Sequence, residues 1–147
     1  MKARVRWLDG VSFVAEADSG HAIVIDGPPD HGGRNLGLRP MELMLLGVGS
    51  CSAVDVILIL KKARQQVVDC DCQLSAERAD TVPAVFTSMH LHFVVSGHGL
   101  SAAQVERAVK LSAEKYCSAS RMLQASVNIT HSCEIIDLDA DQAGAVN

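Results

Sequence analysis

Pro40-Met-Glu-Leu-Met-Leu-Leu-Gly-Val-Gly-Ser-Cys-Ser-Ala-Val-Asp-Val-Ile-Leu-Ile-Leu-Lys-Lys62 decides the architecture of this chain. Proline suits the first turn of a helix, where its missing N–H is no loss, and helical character is expected from Pro40 to about Gln66. Between Met41 and Leu60 the segment is apolar on nearly every face, broken only by Glu42, Asp55 and a small-residue patch at Gly47, Gly49, Ser50, Cys51, Ser52 and Ala53. At a rise of roughly 1.5 Å per residue such a helix is about 30 Å long, enough to cross a bilayer. An acid in mid-segment is costly in lipid, and the flanking segments are patterned as soluble elements. The expectation is therefore a central helix covered on all sides, with no membrane partner. One small domain lacks that much cover, so a homodimer is expected.

Upstream, three short alternating runs, Lys2 to Trp7, Val11 to Ala15 and His21 to Asp26, are separated by the turn signals Asp9-Gly10 and Asp18-Ser19-Gly20, and predict an antiparallel meander. A Gly/Pro-rich loop from Gly27 to Leu38 follows, long enough to suggest a flap on the substrate side. Downstream, Val68, Cys70, Cys72, Leu74 and Ala76 alternate onto one face of a strand. A second strand near Val85 to Val95 places Met89, Leu91 and Phe93 on one face, with His90 and His92 on the other. Ser101 followed by Gln104 reads as a capping box opening a helix with Val105, Ala108, Val109 and Leu111 on its apolar face. A short helix around Cys117 to Gln124 and a last strand, Val127 to Ile135, complete the order β-β-β-α-β-β-α-α-β. This is an α+β chain with an antiparallel sheet packed on helices, one domain over residues 1–138, and a disordered tail over 139–147.

The chain has 147 residues, is 48% apolar and carries a net charge of −4 without a block of either sign, which argues against nucleic acid or an anionic membrane as partner. No apolar stretch follows the basic residues at the N-terminus, so no secretory signal is expected. Five irregularly spaced cysteines do not make a secreted disulfide framework, and a cytoplasmic location is expected. Cys51 and Cys117 stand out, each among small residues that let another sulfur approach. They lie 66 residues apart, so neither a CxxC turn nor a compact metal knuckle accounts for them. If the fold brings them together, the chain is a two-cysteine redox protein.

The block from Arg39 to Cys51 resembles the proline-initiated helix bearing the first cysteine in the osmotically induced protein C and organic hydroperoxide resistance family (OsmC/Ohr). Glu114-Lys-Tyr-Cys117-Ser-Ala-Ser-Arg-Met-Leu123 resembles that family's second cysteine motif, and the element order agrees to about residue 137. The resemblance implies an intertwined homodimer in which antiparallel sheets wrap long central helices. It also implies thiol-dependent reduction of organic hydroperoxides in oxidative-stress defence, with no cofactor and no metal. Cys51 would be the peroxidatic and Cys117 the resolving cysteine, passing through a sulfenic acid to a disulfide that a lipoyl-like dithiol resets. In the peroxidases of the family a glutamate directly follows the helix-starting proline; that place is Met41 here, and the pattern is closest to a poorly characterised OsmC-like branch.

Four further residues are candidates for auxiliary roles. Asp55 lies one turn beyond Cys51 on the same face, where its charge opposes a Cys51 thiolate. Glu42 lies nine residues before Cys51, on the opposite side of the helix, and fits a first-turn acid favouring the helix dipole. Arg34 and Arg39 are the cations available in the loop and at the helix entry. For Cys117, the unpaired N–H groups of a helix start, with Lys115 and Arg121 nearby, are expected to favour the thiolate.

Cys70, Cys72 and Cys133 read as buried structural residues. A Cys2His2 zinc site from Cys70, Cys72, His90 and His92 is disfavoured, because the cysteines face inward and the histidines the polar side. His31, His98 and His131 have no identifiable triad partner, and the glycine-rich loop matches neither a P-loop nor a dinucleotide fingerprint. Two function classes stay open: a thiol peroxidase, and a binding or redox-sensing protein that offers an apolar small molecule a cleft but turns over little.

Overall fold

A computed structural model describes residues 1–139 of the chain; of the expected tail, only Asp139 falls among them. Its contacts divide the chain into two compact units, Met1–Met44 and Leu45 to the C-terminus. The expected element order is the observed one, and the fold is α+β with two three-stranded sheets.

The first unit holds the meander: β1 (Ala3–Asp9), β2 (Ser12–Ala17) and β3 (Ala22–Ile25), paired antiparallel in the order β1-β2-β3. The Gly27 to Leu38 loop is not a free flap. It carries a 3₁₀ turn at Pro29–His31 and returns to β3 through a bridge between Leu38 and Ile25. Asp26, 1% exposed, organises it by accepting hydrogen bonds from the backbone N–H groups of Gly27, Arg34 and Leu36 and from the Ser12 hydroxyl, at 2.8–3.0 Å. These donors, the Leu36 N–H foremost, outweigh desolvation and lower the Asp26 pKa from 3.8 to about 2.

A carboxyl more acidic folded than unfolded stabilises the fold above pH 3.8, and that contribution is lost as pH falls toward 2. Asp26→Asn turns an amide N–H₂ toward these donors and is expected to lower the urea midpoint at pH 5. The gap from wild type should narrow as the pH is taken down to 2; a constant gap would exclude this role.

Helix α1 (Pro40–Lys62) begins in the first unit and ends in the second. Its expected extension to Gln66 stops short, because Arg64 adopts a positive φ of 57° and β4 starts at Gln66. The helix is long and apolar enough to cross a membrane, with a mean hydropathy of 2.3, yet one side is buried in the protein through Val48, Gly49, Ser52, Val56 and Leu60.

In the second unit, β4 (Gln66–Arg78) and β5 (Phe86–His98) pair antiparallel, while β6 (Asn128–Asp137) runs parallel to β5. An all-antiparallel arrangement was expected. The connection from β5 to β6 contains α2 (Ala102–Leu111), a π-helical turn (Ser112–Tyr116) and α3 (Ser118–Leu123), and a crossover of that length permits a parallel return. Met89, Leu91, Phe93 and Val95 of β5, with Val105, Ala108 and Val109 of α2, form the core of this unit. Cys70, Cys72, Leu74 and Ala76 share the inward face of β4, as expected, but Val68 does not. It is the extra residue of a β-bulge between Val67 and Asp69 and is 61% exposed. Ser101 is the N-cap of α2 without a capping box; its N–H donates instead to Gln65 Oε1 at 2.8 Å.

Candidate active site

Helix α1 contributes Cys51 and, one turn later, Asp55; the end of the π-helical turn contributes Cys117. Cys51 Sγ, Cys117 Sγ and an Asp55 carboxylate oxygen all lie within 4.8 Å of one another. The sequence separation of 66 residues is thus closed by the fold, and both cysteines are free thiols.

A pair of serines holds the two elements together. Ser52 and Ser112 are both fully buried; their hydroxyls lie 2.7 Å apart, and Ser112 Oγ donates to the Ser52 carbonyl at 3.0 Å. The tie sets the start of the π-helical turn against the residue after Cys51, and a π-helical turn is itself a frequent mark of a functional segment. Ser112→Ala leaves the buried Ser52 hydroxyl unpaired, a loss of about 1–3 kcal/mol expected from the urea midpoint. An unchanged midpoint would show that the tie contributes nothing.

Cys117 is the N-cap of α3, with extended backbone angles (φ −65°, ψ 105°), and its sulfur accepts from the Ser120 N–H at 3.4 Å and the Ser120 hydroxyl at 3.2 Å. Its thiol reaches back to the Val48 carbonyl of α1 at 3.9 Å. The expected helix-start donors are therefore present, but the predicted thiolate is not favoured. Cys117 is 0% exposed, and burial, reinforced by contact with the Cys51 thiol, raises its pKa above the ordinary 9.0 despite Ser120. Lys115 does not offset this, since it lies over the exposed Tyr116 ring, 5.4 Å from its centre.

Asp55 occupies the place its spacing from Cys51 predicted. Burial raises its pKa, and its Oδ2 is buried with no hydrogen-bond partner. Asp55 is also one of the residues lining a cavity of about 470 Å³, with Leu58, Ile59, Lys62, Arg107 and Tyr116. Lys62 and Arg107 were not singled out in the sequence, because only the fold sets α2 beside this part of α1.

The remaining candidates make their contacts elsewhere. Arg34 pairs with Asp9 at 3.7 Å. Arg39 pairs with Glu42 at 3.5 Å and donates to Asn35 Oδ1 at 3.1 Å, while Glu42 also accepts from the Arg39 N–H at 2.9 Å, the first-turn role expected of it. The Cys70, Cys72, His90 and His92 set does not converge. Cys72 pairs with Phe93 and Cys70 with Val95 on the core face, whereas His90 contacts Thr130 and Ser132, and His92 contacts Ser132, on the other.

Residues 31–132 match the model of the OsmC-like protein family. Protein YhfA of Escherichia coli strain K12 is 50% identical over 139 residues, covering 92% of this chain and 98% of its own. A structural-genomics structure with 48% identity superposes with a TM-score of 0.85 over 93% of this chain and 99% of that one. The organic hydroperoxide resistance protein OsmC of Legionella pneumophila shares the fold at 18% identity and a TM-score of 0.69, over 90% of this chain and 95% of that one. On the span of the family match and the extent of the YhfA likeness, the chain belongs to the OsmC-like family.

Proposed function

We propose that this protein reduces organic hydroperoxides with Cys51 and Cys117, as part of a stress-related redox role. The observation that carries the reading is the approach of the two sulfurs to within 4.8 Å of each other, from residues 66 apart in the chain. The Cys51 thiolate attacks the O–O bond, becoming a sulfenic acid and releasing the alcohol once the alkoxide is protonated. The Cys117 thiol then condenses with the sulfenic acid to give a disulfide and water. A lipoyl-like dithiol returns both cysteines to thiols by exchange and leaves as its own disulfide. Asp55, whose pKa is raised by burial, takes the Cys51 proton.

The cavity beside Asp55, with Leu58 and Ile59 on its wall, accepts the apolar part of the substrate. Residues 1–138 act as one OsmC-like domain of an intertwined cytoplasmic homodimer, in which a second copy covers the outer side of α1.

Intact mass under non-reducing conditions after one equivalent of cumene hydroperoxide tests the reading. A loss of two hydrogens is expected; both thiols remaining intact would sink it. The burial of Cys117 favours a second reading, a binding or redox-sensing protein with slow turnover, and that protein would retain an apolar ligand while its thiols resist peroxide.

A further inference from the structure

The geometry points to a three-donor site for a thiophilic divalent cation of the zinc class, made by Cys51, Asp55 and Cys117. Three atoms pairwise within 4.8 Å lie no more than about 2.8 Å from a common centre, against roughly 2.3 Å for a zinc–sulfur and 2.0–2.2 Å for a zinc–oxygen bond. A contraction of about half an ångström per donor completes the coordination, within the reach of side-chain rotation.

Several features separate this cluster from a chance grouping. Asp55 Oδ2 is buried without a partner, so the protein maintains a desolvated acceptor that a cation would satisfy. Cys51 and Asp55 lie one turn apart on one helix, and the Ser52–Ser112 tie holds the segment carrying Cys117 against that helix, so the donors are set before any ion arrives. One dication with two thiolates and a carboxylate carries a single net negative charge, and Lys62 and Arg107 line the same cavity as Asp55. Two sulfurs with one carboxylate select zinc over magnesium or calcium, which take oxygen ligands. Binding converts two thiols to thiolates and releases their two protons, with no change of oxidation state.

The ion and the disulfide need the same two sulfurs, so they exclude each other. The metal site stands by itself, whereas the protection it gives against oxidation rests on the hydroperoxide reading above.

Titration of the reduced full-length protein with cobalt(II), followed by displacement with zinc(II), tests the site. One equivalent of cobalt per chain is expected to produce a thiolate-to-metal charge-transfer band, equally in the Cys70→Ser/Cys72→Ser double variant. Cys51→Ser, left with one sulfur ligand, should bind at least 100-fold more weakly and, at saturation, show about half the band; Cys51→Ser/Cys117→Ser should show none. Asp55→Asn, which keeps the side-chain shape, should retain the band with at least tenfold weaker binding.

Absence of the band in the wild type, its loss in the Cys70→Ser/Cys72→Ser variant, or wild-type affinity in Asp55→Asn would overturn the proposal. A second arm follows loss of two hydrogens after cumene hydroperoxide, expected at least tenfold slower in zinc-loaded protein. Metal-free protein that never loses them refutes hydroperoxide reduction while the cobalt result still decides the metal site. Equal rates with and without zinc refute the protection.

Discussion

Serine in place of Cys51 is expected to abolish hydroperoxide consumption, a fall on the order of 10³-fold or more, because the variant has no sulfur to accept the peroxide oxygen; that factor is about 4 kcal/mol of barrier. The loss of two hydrogens should vanish with it. Cys117→Ser separates the two steps. Attack should persist for a single turnover, after which Cys51 accumulates as sulfenic acid and proceeds to sulfinic acid in excess peroxide. Full turnover by Cys51→Ser would remove Cys51 from the mechanism.

The pH dependence of the second step follows from the burial of Cys117. Its pKa is raised above 9.0, so at neutral pH it is a thiol, and its thiolate fraction grows about tenfold per pH unit throughout the range below that pKa. Where resolution limits the rate, quenched intact-mass measurements should show disulfide formation faster by about 10² at pH 9 than at pH 7. A flat profile would mean that Cys117 loses its proton to a neighbour as it reacts, and Asp55 is the group within reach.

Much of this arrangement was legible in residue patterns, and the failures share a cause. The apolar run after Pro40 announced α1, and alternation announced β4 and β5, because both signals are local periods of the chain. The spacing of Asp55 from Cys51 is equally local, and it correctly put the acid beside the thiol. Direction and partner were not local. The parallel pairing of β6 with β5 depends on where the crossover lands, and the outward turn of Val68 on a bulge in β4 that is defined only by its register against β5.

Asp26 looked like the end of a strand, because its partners are backbone N–H groups that carry no side-chain signature. Cys117 shows the limit most clearly. Its helix-start donors and neighbouring cations could be read from the sequence, but its complete burial could not, and burial reversed the expected direction of its pKa. Ser52 read only as part of a small-residue patch and Ser112 carried no signal, because a buried serine pair is recognisable only once two elements meet.

Glutamate in place of Val54 is expected to convert a homodimer to monomers, reducing the mass in sedimentation from twice the 15.6 kDa chain mass to that of one chain. Opposite the buried side of α1, Gly47, Ser50, Val54 and Leu58 follow at three- and four-residue spacing, which lines them along one face. Val54 and Leu58 are each 59% exposed, and a side chain added at Gly47 meets nothing within 4 Å, so the face is apolar, open and shallow enough for close approach of a second helix. Covering the exposed parts of Val54 and Leu58 in both copies contributes roughly 4–8 kcal/mol before the cost of association. A carboxylate at Val54 removes part of that and must be desolvated without a partner, an effective penalty of several kcal/mol. Together these raise the dissociation constant by on the order of 10³-fold or more. A dimeric Val54→Glu variant would exclude this face as the interface. The same helix is long and apolar enough to enter a bilayer, so flotation of the wild type with phosphatidylcholine vesicles is the decisive control. Protein that remains at the bottom of the gradient, and is dimeric there, assigns the cover of α1 to a second copy of the chain, because a face this apolar left open to water in a dimer would still have to be hidden from other chains.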